Sequence, residues 1–178
     1  MINGINKFNA KGATTMKQQE NVGIELTNIW TMTCLDSSGN VKWSETKKNL
    51  IVTEGLNHIL DVAFHGDTQA TTWYIGLKGS GTPAAGDTLA SHGSWSEITD
   101  YSGDRKEWTE GAASSGSMTN SSSVDFSITG SATVAGAFLS STTDNTGVLY
   151  GVVDFASSRS VLSGDTLQVT VTVTAASS

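Results

Sequence analysis

Between residues 49 and 78 the spacing of apolar positions changes twice, and the chain is organised around that change. In NLIVTEGLNHILDVAFHG, Leu56, Ile59, Leu60, Ala63 and Phe64 fall at i, i+3, i+4, i+7 and i+8, one face of a 3.6-residue period. This predicts a helix over 53–65 with those residues as its core face. Thr53 reads as the N-cap, Glu54 sits in the first turn where the macrodipole favours an anion, and Gly66 offers a left-handed stop. Gly55 inside the first turn costs about 1 kcal/mol relative to Ala, so this helix depends on its packing.

Elsewhere the period is two. Ile24, Leu26, Trp30, Met32 and Cys34 share one face of a strand, interrupted only by Asn28. Residues 36–40 (DSSGN) form a hairpin loop into a return strand over 41–45, and residues 49–52 lead into the helix. Residues 72–78 and 133–139 are continuous apolar runs, read as buried strands, and Gly136 marks a close backbone approach or a bulge. Val124, Phe126 and Ile128 alternate with polar residues, a turn over 142–147 leads into a strand over 148–155, and Leu167, Val169, Val171 and Val173 alternate with Gln168, Thr170, Thr172 and Thr174. Residues 79–86 are a loop, and the small-residue stretch 111–123 reads equally as loop or strand. The tetrapeptide GDTL occurs at 86–89 and 164–167, marking two similar strand entries. Eight to ten short strands joined by short loops predict a mainly β, antiparallel β-sandwich, jelly-roll-like, with one short α-helix. Residues 1–23 form an extended N-terminal arm and 24–178 the sandwich domain.

Composition narrows the chemistry. Residues 1–78 carry seven lysines and seven carboxylates, so the net charge of −7 lies entirely in 79–178. An acidic body argues against nucleic acid as a partner. No apolar stretch approaches the ~20 residues of a membrane span, so no membrane partner is expected. MINGINKFNAKG lacks the apolar core of a secretory signal, which predicts a protein made and kept in a cytosol-like compartment. The single cysteine, Cys34, excludes an internal disulfide and reads as a small core residue.

Candidate catalytic groups do not assemble into motifs. His58 and His65 lie seven apart on the predicted helix without a carboxylate to complete a zinc site, and His92 stands alone. Glu107 and Glu110 flank Trp108 and read as exposed carboxylates rather than a glycosidase pair. Asp87 and Asp165 each follow a glycine, but no set of six to eight oxygen ligands for calcium is spelled out. No phosphate loop and no nucleophile elbow is present. The expectation is no enzyme activity, no metal and no cofactor. Trp95, Tyr101 and Trp108, spread through irregular sequence, leave open a carbohydrate-stacking platform beside the more frequent role of core packing.

The blocks NLIVTEGLNHILDVAF, TTWYIGL, AAGDTLASHGSWSEIT, TVAGAFL and SGDTLQVTVTV, in this order, resemble a family of tailed-bacteriophage virion structural proteins, the resemblance covering about residues 24–174. The resemblance implies a capsid decoration (cement) protein without catalytic residues, bound outside the shell and bridging major capsid protein subunits, with virion localisation after synthesis in the host cytoplasm. A homotrimer matches the quasi-threefold gaps of such a shell. A tail-associated module, tube or fibre base, is the alternative within the same class. In the decoration reading the arm laces onto a neighbouring subunit through Ile2, Ile5 and Phe8. A competing reading makes residues 1–15 an upstream translation with the start at Met16, because Lys11-Gly12-Ala13 can be encoded with a ribosome-binding signal.

Overall fold

The computed structural model describes residues 23–177. Within them eleven strands form two antiparallel sheets that face one another as a sandwich, with one helix between the third and fourth strands. The first sheet is built on β1 (Ile24–Leu35) and β11 (Thr166–Ser177), paired from Ile24↔Ser177 to Leu35↔Thr166. This register sets Trp30, Met32 and Cys34 directly opposite Val171, Val169 and Leu167, so both alternating patterns empty onto one inner face. β2 (Val41–Lys48) flanks β1, while β7 (Ser117–Thr119) and β8 (Val124–Ser127) share the far edge of β11. Hydroxyls pair across the outer face, Thr31 with Thr46 at 3.1 Å and Thr33 with Ser44 at 3.0 Å.

The second sheet runs β3 (Leu50–Ile51), β10 (Leu149–Val161), β9 (Ala132–Ser140) and β4 (Tyr74–Gly81), with β5 (Trp95–Ile98) and β6 (Lys106–Glu107) sharing the outer edge of β4. Its inner face meets the first sheet through Ile75, Leu77, Leu139 and Val153. Its outer face is covered as well: Leu89 packs with Val52, Trp95, Phe138, Leu149 and Val152 in a second, smaller core. Burial on two sides explains why β4 and β9 read as continuous apolar runs instead of alternations. Gly136 lies hard against β10, and a Cβ there would sit 1.9 Å from the Val153 carbonyl oxygen. Immediately beyond it the register of β10 slips between Asp154 and Arg159.

Side chains join the two sheets where β2 meets β10. The Trp43 indole donates to the Ser160 carbonyl (3.3 Å), and the Arg159 guanidinium pairs with Glu45 (2.9 Å). The buried basic side chains Lys78 and Arg105 are both engaged. The Lys78 ammonium donates to the carbonyls of Gly79 and Gly81 and to Asp154. Arg105 holds Glu97 with two nitrogens, reaches Asn145 and the Thr142 carbonyl, and lies over the Phe138 ring.

The repeated GDTL is a turn device. Asp87 accepts the Ala84 N–H and Asp165 accepts the Leu162 N–H, each three residues back, and each returns its own N–H to the same residue's carbonyl. Leu89 and Leu167 follow as fully buried anchors. Only the second copy enters a strand, so the expectation of two strand entries holds for 164–167 alone. Cys34 is buried as expected, and burial together with the neighbouring Asp165 carboxylate pushes its thiol up to about 11.

Candidate functional site

The helix expected over 53–65 is present as α1 (Thr53–Leu60) followed by a π-helical turn (Asp61–His65), and Gly66 ends it with φ 77°. Its orientation differs from the one that periodicity predicts. The side turned to the body carries Gly55, buried, with His58, Ile59 and Val62 half-buried, positions that share one face at i, i+3, i+4 and i+7. Of the five residues assigned to the core face, only Ile59 packs inward. Leu56 (41% exposed), Leu60 (55%) and Phe64 (84%) are open to solvent, and Ala63 is exposed beside them.

The physical reason is a backbone contact. A Cβ on residue 55 would lie 2.2 Å from the Tyr150 carbonyl oxygen and 2.7 Å from its Cα, so glycine alone lets the helix approach β10 this closely. That approach fixes the rotation of the helix, and the largest apolar residues fall on the other side. Four further bonds hold the first turn. The Val52 N–H donates to the Tyr150 carbonyl (3.2 Å) and the Thr53 N–H to the Ala85 carbonyl (2.8 Å). The Glu54 carboxylate accepts the N–H groups of Leu89 (2.9 Å) and Leu149 (2.7 Å). Val52 takes the N-cap position and makes no side-chain cap bond, so Thr53 is not the cap. Glu54 acts instead as a staple between a loop and a strand. The outcome is an apolar stripe, Leu56, Leu60, Ala63 and Phe64, carried on a firmly seated helix.

A second apolar surface opens at the same end of the sandwich. Leu26, Ile59, Trp73, Met118 and Val173, all half-buried, line a groove of about 210 Å³ floored by Tyr150. Trp73 stands edge-on to both His58 and Tyr150, at 5.7 Å between ring centroids in each case. The second sheet also carries a wider groove of mixed polarity, lined by Ser80, Ser96, Asp100, Thr133 and Asp154 together with Ile98, Ala135 and Phe155, with the Asp154 carboxylate held by Lys78.

The remaining candidates resolve into structural roles. Trp95, Tyr101 and Trp108 are buried, which removes them as a stacking platform: Tyr101 meets Phe126 edge-on, and the indoles of Trp95 and Trp108 donate to Asp87 (2.9 Å) and Asn120 (3.3 Å). His92 stacks on Trp95, and His65 is exposed. Glu107 and Glu110 are exposed, as read from the sequence. Among the described residues no group of three or more His, Cys, Asp or Glu side chains could hold a metal ion. No helix of the described residues is long and apolar enough to cross a membrane. Ile2, Ile5 and Phe8 lie outside the described residues. The sequence reading missed Asn120. Its buried amide accepts the Val171 N–H (2.8 Å) and donates to the carbonyls of Val169 (3.1 Å) and Ser122 (2.6 Å), pinning residues 117–122 to β11. Compared with known proteins, the chain matches no family model and no curated sequence.

Proposed function

We propose that this chain is a non-enzymatic structural protein of a tailed-phage virion, a decoration or cement protein that binds the outside of the capsid shell as a homotrimer and bridges major capsid subunits. The observation that carries this reading is the solvent-facing stripe of Leu56, Leu60 and Phe64 on a helix whose first turn is tied to two other segments of the body. Exposed apolar side chains gathered on one helix face favour a macromolecular partner, and seating such a helix in a groove of the shell buries them. A two-sheet sandwich with paired buried charges suits a part whose task is to stay rigid while bound. The ordered sequence blocks resembling virion proteins supply the identity of the shell. The net charge of −7 disfavours direct contact with packaged nucleic acid.

Co-sedimentation tests the reading. Purified protein is mixed with empty capsids of the phage that carries its gene, and, in parallel, with isolated tails. The expected result is saturable pelleting with capsids that is lost in Leu60→Asp. Protein that stays in the supernatant with capsids, or pellets with tails alone, overturns the capsid assignment.

A further inference from the structure

We infer that the apolar groove between Leu26, Ile59, Trp73, Met118 and Val173 is the receptor for the N-terminal arm, residues 1–22, of a neighbouring copy of this chain, with Phe8 as the side chain that fills it. The groove is open and almost wholly apolar, with five strands, the helix and two tryptophans, Trp73 and Trp108, contributing to its lining. Its volume of about 210 Å³ exceeds the roughly 150 Å³ that accepts a benzene ring in an apolar cavity, so one aromatic side chain fits. The arm offers three large aliphatic or aromatic side chains before its methionine at 16, namely Ile2, Ile5 and Phe8, and Phe8 alone is aromatic.

Two features point to a neighbour's arm over the chain's own. β1 runs into the sandwich from Ile24, and Leu26 near its start already lines the groove, so the first described residues lie at the groove's own end. Extended at ~3.3 Å per residue, the arm reaches roughly 70 Å, enough to span to an adjacent copy. Charge adds the second argument. Residues 1–22 hold three lysines against one glutamate, a net of +2, which leaves −9 on the rest of a chain of net −7. Bodies of that charge repel, and an exchanged basic arm places opposite charge between them. The start of β1 has room for an added strand as well. β2 pairs with β1 only from Ile29 onward, so the β2 side of Ile24–Thr27 carries no strand among the described residues.

This inference deepens the homotrimer in the proposed function and rests on copies associating. Its test needs no capsid, so its failure and a failure to bind shells are separable. Full-length protein carrying benzoylphenylalanine in place of Phe8 is prepared in light and heavy isotopic forms, mixed, allowed to exchange and irradiated. The expected product joins a light chain to a heavy chain, with the crosslink mapped to peptides containing Met118, Trp73 or Val173. A Met118→Glu variant of the receptor copy should lower its yield at least fivefold while keeping its melting temperature. Crosslinks confined to single chains, crosslinks mapped outside the groove, or no crosslink overturn the inference. So does an intact mass beginning at Met16 or Lys17 for the protein taken from particles.

Discussion

Gly55→Ala separates the seated helix from a merely amphipathic one because the two accounts differ in sign. In a solvent-facing helix interior, replacing glycine by alanine stabilises by about 1 kcal/mol. Here the added methyl would stand 2.2 Å from the Tyr150 carbonyl oxygen, against an ordinary contact of 3.4 Å or more, so the helix or β10 must give way by about 1.2 Å. Both neighbours in the clash are backbone, and no rotamer change relieves it. Retreat by that distance stretches the Val52–Tyr150 bond and pulls Glu54 from the N–H groups of Leu89 and Leu149. Overpacking of this kind costs about 1–3 kcal/mol, which exceeds the propensity gain. Because both clashing groups are backbone, the cost lies near the upper end, and less the propensity gain it leaves a net loss of about 2 kcal/mol. At roughly 2–4 °C per kcal/mol for a domain of this size, the expected drop is about 4–8 °C, measured by circular dichroism against the unsubstituted protein. An unchanged or raised melting temperature would refute the close approach, and with it the reason for the outward turn of Leu56, Leu60 and Phe64.

Leu60→Asp should leave stability within about 0.5 kcal/mol, since the residue is more than half exposed, and a urea titration checks it. Asn120→Ala removes the acceptor of the buried Val171 N–H and of the Trp108 indole, a loss of about 2–4 kcal/mol readable by the same titration. Burial works to raise the Asp165 carboxyl, but the Lys42 ammonium and the Leu162 N–H outweigh it and hold it below the ordinary carboxylate value. A carboxyl so lowered stabilises the fold above its unfolded value, near pH 4, and that contribution fades as pH falls through the folded value. Asp165→Asn should therefore lower stability at pH 7 and flatten its decline below about pH 4, followed by thermal melts across the acid range.

How far the sequence reaches depends on where a residue's partner lies. Alternation located β1, β8 and β11 because each buries one face, and the burial of Met32 opposite Val169 follows from period two alone. Asn28, the break in that alternation, is buried and accepts the Tyr150 hydroxyl, a partner that no local pattern could name. The helix was legible as an element but not in its rotation. Glycine contributes nothing to an apolar stripe, yet Gly55 decides the contact face by being small. A usable signal was the glycine itself, with Ile59 and Val62 at i+4 and i+7 on its side. Trp95, Tyr101 and Trp108 looked scattered because loops and short edge strands carry them into the core. Arg105 and Asn120 were invisible for a related reason: their bonds close across dozens of residues of chain.

The central claim is that this sandwich docks on a capsid shell by the Leu56, Leu60 and Phe64 face. The most direct measurement is a difference density from cryo-electron microscopy of particles with and without the protein. The account predicts threefold-related density on the outer surface of the head, with the helix against the shell and the two sheets standing away from it. Density confined to the tail, or no difference on the head, would contradict it.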